Sequence, residues 1–190
     1  MNFIETDRLI LKTIGESEIS LLADYYLKNL SFLKKSIPVS DASFYTIDNL
    51  RNRILNEKDL FEKRFQISLY VFIKKNMNSL IGNVSVLNIT GDKEKTGFLG
   101  YQIDERSNGK GFASEAAAAI IDHVFSNLNF FKLEANVMTS NHSSVKVLGK
   151  LGFEKTEYLK YFMNVNGRAE DHFRYTLINN KQSQSITNIL

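Results

Sequence analysis

Cysteine is absent from the 190 residues, which excludes disulfides, thiolate metal sites and a thiol nucleophile. That absence agrees with a reducing compartment, and a cytoplasmic location is the expectation. No apolar run approaches membrane-spanning length. Met1 to Asp7 lacks a basic segment followed by an apolar one, so no secretion signal is read there. Charge of one sign is also scarce. The net charge is +3, which suits an anionic ligand and is too weak to argue for nucleic acid. Basic residues are spread along the chain without the aromatic interleaving of a single-strand platform, so direct nucleic-acid binding is not expected. His123, His142 and His172 are isolated and show no metal-ligand spacing. Proline occurs once, at Pro38, and there is neither an internal repeat nor a low-complexity segment.

What is present is a globular composition, 43% hydrophobic and 24% charged. One domain is expected over residues 1–179, with a polar, mobile C-terminal tail over 180–190. Arg8 to Lys12 reads as a first strand. Thr13 and Glu16 have capping-box spacing. Ile19, Leu22, Ala23, Tyr26 and Leu30 recur at helical intervals, predicting a helix over Glu16 to Lys28. Phe32 to Tyr45 reads as a loop, and Thr46 to Phe65 as a second helix. Two early helices after one strand suit a flap over a site. Three strands of an antiparallel meander follow: Gln66 to Lys74, Leu80 to Ile89 and Thr96 to Ile103. A turn is read at Asn76 to Ser79 and a bulge at Gly82. An alanine-rich helix then runs over Ala116 to Phe125, and a strand over Lys132 to Met138. A short helix opens at Asn141 and ends at Leu151, capped by Gly152. A closing hairpin, Phe153 to Asn164 and Arg168 to Ile178, turns at Asn166-Gly167. The fold class is mixed α/β (α+β), with antiparallel pairing dominant and parallel pairing where a helix links the central strands.

The stretch Arg106-Ser107-Asn108-Gly109-Lys110-Gly111-Phe112-Ala113-Ser114-Glu115 sits where a strand hands over to a helix. Glycines allow tight turns and close backbone approach, and the first N–H groups of a helix attract an anion. A pyrophosphate cradle is the reading. It is not a Walker A loop, and the third glycine of a Rossmann fingerprint is missing at Ser114.

Arg106-x-x-Gly109-x-Gly111 resembles the acetyl-coenzyme A motif of the GNAT superfamily of N-acetyltransferases. Asn141-x-x-Ser144, running on to Lys150-Leu151-Gly152-Phe153, resembles the family's next signature. Thr6-Asp7-Arg8-Leu9-Ile10-Leu11, Gly100-Tyr101-Gln102-Ile103 and Gly111-Phe112-Ala113-Ser114-Glu115-Ala116 are similar to the Rim-type branch, whose known members acetylate ribosomal-protein N-termini.

This resemblance implies a GNAT-like sheet flanked by about four helices, with acetyl-coenzyme A as cosubstrate and no metal. Arg106, Asn108, Gly109, Lys110, Gly111, Phe112, Ala113 and Ser114 would hold the pyrophosphate. Tyr101, Gln102 and Ile103 would run beside the pantetheine arm, with a backbone N–H near Tyr101 facing the thioester oxygen, and Asn141 would hydrogen-bond the arm. The family's tyrosine seven residues after the asparagine is replaced by Leu148. Ser144 is therefore the expected hydrogen-bond donor to the leaving sulfur. Glu134, on the off-core side of its strand, is the candidate general base, with His142 and His172 as alternatives. A glutamate frequent in the branch is Phe98 here, which makes Phe98 a candidate lining residue of a more apolar acceptor pocket. Asp171 is a structural or substrate-lining candidate. The implied reaction is direct acetyl transfer to an amine, a protein N-terminal α-amine first and a small-molecule amine (amino acid, polyamine or aminoglycoside) second. A non-catalytic acetyl-coenzyme A sensor is the rival from another class. A monomer or homodimer is expected.

Overall fold

Period-two patterning and turn chemistry lay out most of the sheet. The structure is a computed structural model and describes residues 3–35 and 45–180. Its strands are β1 (Phe3–Glu5), β2 (Leu9–Lys12), β3 (Ile67–Ile73), β4 (Asn76–Thr90), β5 (Lys95–Ile103), β6 (Phe130–Met138), β7 (Glu154–Val165) and β8 (Arg168–Ile178). They form one sheet in the order β1-β2-β3-β4-β5-β6-β8-β7. Every neighbouring pair is antiparallel except β5 and β6. The helices are α1 (Ile19–Leu33), α2 (Ile47–Glu62), α3 (Phe112–Asn127) and α4 (His142–Lys150). This is the mixed α/β architecture expected, with the parallel pair where α3 links β5 to β6.

The two faces of the sheet are covered by different helices. On one, Ala116, Ala117, Ile120 and Val124 of α3 and Leu148 of α4 pack on Leu9, Val71, Val84, Val86 and Leu133. Burial of the valine, leucine and isoleucine side chains among these stabilises by roughly 1.5–3 kcal/mol each. On the other, Leu22 and Tyr26 of α1 and Leu50 of α2 pack on Tyr70, Phe72 and Leu80. Arg53 ties these two helices to the sheet. It donates to Glu57 Oε1 at 2.9 Å and to the Tyr26 hydroxyl, while the Tyr70 hydroxyl donates to Glu57 Oε2 at 3.0 Å. The early helices therefore cover a sheet face and share a core with it.

Local signals are honoured where the backbone leaves little choice. Asn166 and Gly167 have φ of 52° and 83°, the pair of positive values a two-residue hairpin turn needs. The register slips between Val71↔Gly82 and Phe72↔Leu80, so a bulge does sit beside Gly82.

Other expectations shift. The capping interaction before α1 uses Gly15 and Glu18, not Thr13 and Glu16. The Gly15 N–H donates to Glu18 Oε2 at 3.0 Å, and the same carboxylate reaches Lys12 at 2.9 Å, a partner that Glu16 lacks. A short 3₁₀ turn over Glu16–Glu18 precedes α1, which runs on past Lys28 to Leu33. The β3–β4 turn lies at Lys74 and Lys75 rather than Asn76 to Ser79. The Asn76 side chain instead accepts from the Asn78 N–H at 3.2 Å inside a bulge where Ile73 pairs with Asn76 and Phe72 with Leu80. Strand β1 was not expected. Of the loop read over Phe32 to Tyr45, Phe32 and Leu33 are helical and residues 36–44 lie outside the described residues, as does the tail from 181 to 190.

Gly82 also fixes how β4 meets β5. A Cβ there would lie 2.0 Å from the Gln102 carbonyl oxygen, which is backbone and cannot swing aside. Gly82→Ala is expected to destabilise by about 3 kcal/mol or more, measured as a loss in urea-unfolding midpoint at unchanged slope.

Candidate active site

Strands β5 and β6 begin side by side and then part. Their ladder runs Lys95↔Phe130, Thr96↔Lys132, Gly97↔Leu133 and Phe98↔Glu134, and goes no further. Beyond that point β5 continues to Ile103 paired with β4, and β6 continues to Met138 paired with β8. The result is a wedge-shaped slot with the backbone of residues 99–103 along one side. An unpaired strand edge is a template for hydrogen bonding to an extended partner.

Tyr101 reaches across this slot. Its hydroxyl donates to the Ser144 carbonyl on α4 at 3.2 Å. Burial pushes the Tyr101 phenol up to about 12, opposed in part by the nearby Ser144 side chain, so it stays protonated at neutral pH. Gln102 lies on the other face, in register with Asn83, and the side-chain oxygens of both are buried without a hydrogen-bond partner.

At the end of β5 the chain enters the glycine-bearing turn. Asp104 caps a 3₁₀ turn over Glu105–Ser107, its Oδ1 accepting from the Ser107 N–H at 2.8 Å. Asn29 of α1 accepts from the Glu105 N–H at 3.1 Å. Gly109 and Gly111 both take left-handed φ, 75° and 83°. Gly111 is the N-cap of α3, and no side chain caps that end. The leading N–H groups at Phe112, Ala113 and Ser114 thus meet no side-chain cap, and the helix dipole adds partial positive charge. Arg106 and Lys110 are exposed and form no salt bridge among the described residues. An anion fits here. Asn108 is exposed between them.

Facing the slot from the far side is the start of α4. Asn141 is its N-cap, with Oδ1 accepting from the Ser144 N–H at 3.1 Å and from Ser143 Oγ at 2.8 Å. Ser144 is half-buried in the first turn, while Leu148 is wholly buried in the core and offers no polar group. A pocket of about 380 Å³ opens here, lined by Lys35, Met138, Ser140, Asn141, His142 and Ser143.

The sheet face toward α1 and α2 carries the acceptor-side candidates. Phe98 and Glu134 are cross-strand neighbours at the fork. Glu134 is largely buried and pairs with Lys132 at 3.1 Å, so it is not an isolated carboxylate. Arg174 of β8 lies over the Phe98 ring at 6.0 Å, donates to Asn136 Oδ1 at 3.2 Å and pairs with Glu157 at 3.0 Å. Asp171 is elsewhere. Strand alternation turns it to the face opposite Glu134, where it accepts from the Tyr158 hydroxyl and, at 2.7 Å, from the Tyr161 N–H. Those hydrogen bonds hold its carboxyl below the usual range, the Tyr158 hydroxyl contributing most. They pin the bulge where Leu159 pairs with His172 and Met163 with Glu170. His142 is exposed at the start of α4, and His172 is buried with Nδ1 3.0 Å from the Glu170 carbonyl.

With this geometry in place, comparison with known proteins is decisive. The profile of the acetyltransferase (GNAT) domain matches residues 8–154. The chain belongs to the GNAT acetyltransferase family. It is 30% identical over 171 residues to the ribosomal protein uS5-alanine N-acetyltransferase of Escherichia coli, covering 89% of this chain and 87% of that one. The crystal structure of ribosomal-protein-S5-alanine acetyltransferase from Vibrio fischeri superposes with a TM-score of 0.88 at 29% identity, covering 95% and 98% of the two chains. A ribosomal L7/L12 α-N-protein acetyltransferase in complex with coenzyme A shares the fold, with a TM-score of 0.83 at 22% identity over 93% and 98%. This GNAT protein is thus an acyltransferase of the N-acetyltransferase class, similar to the Rim-type branch. Among its described residues no helix is long and apolar enough to cross a membrane, and no group of three or more metal-ligating side chains occurs.

Sequence reasoning missed Arg174, which packs on Phe98 only through the β6–β8 and β5–β6 pairings, and gave Arg8 and Glu115 no role. Arg8 and Glu115 lie in stretches whose motifs stand out in the sequence, but nothing local pairs the two, and no local pattern marks Arg174. Replacing the Asn141 cap by alanine is expected to cost about 1 kcal/mol of stability, read as a lowered thermal midpoint.

Proposed function

We propose that this protein transfers the acetyl group of acetyl-coenzyme A to the α-amine at the N-terminus of a protein, with ribosomal proteins as the acceptor class. Residues 1–179 act as one catalytic unit, and such an acceptor places the reaction in the cytoplasm. The observation that carries the reading is the parting of β5 from β6 at Phe98↔Glu134, with an uncapped helix start at one end of the slot and Ser144 across it. A rod-like donor with a pyrophosphate at one end and a thioester at the other suits that shape. The residues present fit it: an αL glycine cap, two exposed cations at Arg106 and Lys110, and an open strand edge. The coenzyme A complex of a protein with the same fold supports the choice of donor.

Acetyl-coenzyme A supplies the acetyl group as a thioester, already activated toward an amine. The protein's own residues hold and orient it. The Asn108 N–H is engaged by the Glu105 carbonyl at 3.3 Å, so N–H groups from Gly109 to Ser114 receive the pyrophosphate, with Arg106 and Lys110 adding charge and the Asn108 side chain beside them. The edge from Tyr101 through Gln102 to Ile103 pairs with the pantetheine amides, and the Tyr101 N–H faces the thioester carbonyl oxygen. Asn141 keeps α4 in register against the slot. Ser144 Oγ donates a hydrogen bond to the departing sulfur. Glu134, in its ion pair with Lys132, receives the amine proton through water. Phe98 and Arg174 form the acceptor-side wall beside it, while Asp171 acts by shaping the β7 bulge at the rim.

Two measurements test this. Gly111→Glu places bulk and negative charge in the cradle and is expected to weaken coenzyme A binding by more than about tenfold in calorimetry. Unchanged affinity removes the pyrophosphate from this turn. Thiol release with N-terminal peptides of ribosomal proteins should exceed release with polyamines, amino acids or aminoglycosides. Turnover on a small amine alone makes that class the acceptor, and coenzyme A binding without turnover on any amine makes the protein a sensor.

A further inference from the structure

The cradle is braced from outside by a residue 107 positions away in sequence from its partner on α3. Arg8, at the start of β2, grips Glu115 through three contacts. Its Nε donates to Oε2 at 2.7 Å, its second terminal nitrogen lies 2.6 Å from the same oxygen, and its backbone N–H donates to Oε1 at 3.0 Å. The Thr6 hydroxyl donates to Oε1 at 2.6 Å. Arg8 then uses its remaining terminal nitrogen on the turn itself, donating to the Lys110 carbonyl at 3.0 Å, and its guanidinium lies 4.5 Å from the centre of the Phe112 ring. A Cβ added at Gly111 would meet the guanidinium at 3.3 Å. One side chain thus touches Lys110, Phe112 and Glu115 and lies against Gly111, spanning the junction from turn to helix.

Two physical consequences follow for the site. In a trans peptide the carbonyl of one residue and the N–H of the next point in opposite directions. Holding the Lys110 carbonyl toward Arg8 therefore turns the Gly111 N–H away from Arg8, alongside the uncapped N–H groups of α3. Successive N–H groups directed to one side form an anion-binding concavity. The second consequence is electrostatic. Glu115 sits in the first turn of the helix whose N-terminus is the cradle. An unneutralised carboxylate there competes with a bound phosphate for the same partial charge and repels it. The guanidinium fork cancels that charge.

We propose that Arg8 is a positioning residue for the pyrophosphate cradle, fixing the Lys110–Gly111 peptide and neutralising Glu115 so that the turn is preorganised for the diphosphate of the donor. This rests on the reading that the cradle takes coenzyme A. It gives Thr6-Asp7-Arg8-Leu9, a stretch remote from the cradle in sequence, a function at the donor site. Lysine cannot replace the fork, because one ammonium cannot span Glu115 and the Lys110 carbonyl in a fixed plane.

Calorimetric titration of the full-length protein with coenzyme A, beside the apo thermal midpoint, tests the proposal. Arg8→Met is expected to bind about tenfold or more weakly, since it loses charge-assisted hydrogen bonds and exposes the anion to Glu115. Arg8→Lys is expected to bind severalfold more weakly while remaining folded, which keeps the measurement available should Arg8→Met not fold. Wild-type affinity in both variants, or in Arg8→Lys alone if the other does not fold, overturns the proposal. So does a lowered apo midpoint with unchanged affinity, because that is a purely structural role. Wild-type protein that does not bind coenzyme A overturns the cofactor reading and this proposal together, whereas wild-type binding with unaltered variants overturns the role of Arg8 alone.

Discussion

The structure depends on the place where two hydrogen-bonded strands stop being neighbours. Backbone N–H and C=O groups in a buried strand must be paired, and a sheet normally pairs them with the next strand. Here the β5–β6 ladder ends at Phe98↔Glu134, although β5 continues to Ile103 and β6 to Met138. The two strands stay apart because each is committed elsewhere. β5 is held by β4 and by the close approach of Gly82 to Gln102, and β6 by β8 along seven paired residues from Lys132 to Met138. Helices pack on both faces of the sheet, and the open edge of β5 beyond Phe98 is where an extended donor would add hydrogen bonds.

Around that slot the protein separates its electrostatic tasks. One end gathers positive potential from the αL turn, the first N–H groups of α3, Arg106 and Lys110, with the one acid in the first turn of α3 already engaged by Arg8. The acceptor side is mixed: Phe98 is apolar, Glu134 is tied to Lys132, and Arg174 is shared between Asn136 and Glu157. Arg174 lies 6.0 Å from the centre of the Phe98 ring, so a cation stands beside the apolar residue at the fork.

Features fixed by local backbone chemistry were legible in the sequence. Asn166-Gly167, the Asn141 cap, Gly152 at φ 82° and the irregularity at Gly82 each follow from a conformation that few residues adopt. Features decided by competition between equivalent signals were not. Glu16 and Glu18 could both close a cap, and Glu18 wins because its carboxylate also reaches Lys12. Asn76 and Asn78 carry turn chemistry, which is spent on a bulge while two lysines make the turn. Strand β1 has three residues, too few to show alternation. The site divides the same way. The cradle and the Asn141 helix are contiguous and could be read directly, and the strand order gave them a common slot. Arg8 with Glu115, and Arg174 with Phe98, become neighbours only after the whole sheet is assembled.

The central claim is that the edge of β5 and the start of α3 together hold the donor. Hydrogen–deuterium exchange on the protein with and without coenzyme A tests it most directly. The account predicts slower exchange at the amides of residues 100–103 and 109–114 when coenzyme A is present, with little change along β1 and β2. Coenzyme A binding that leaves both segments unprotected would contradict it.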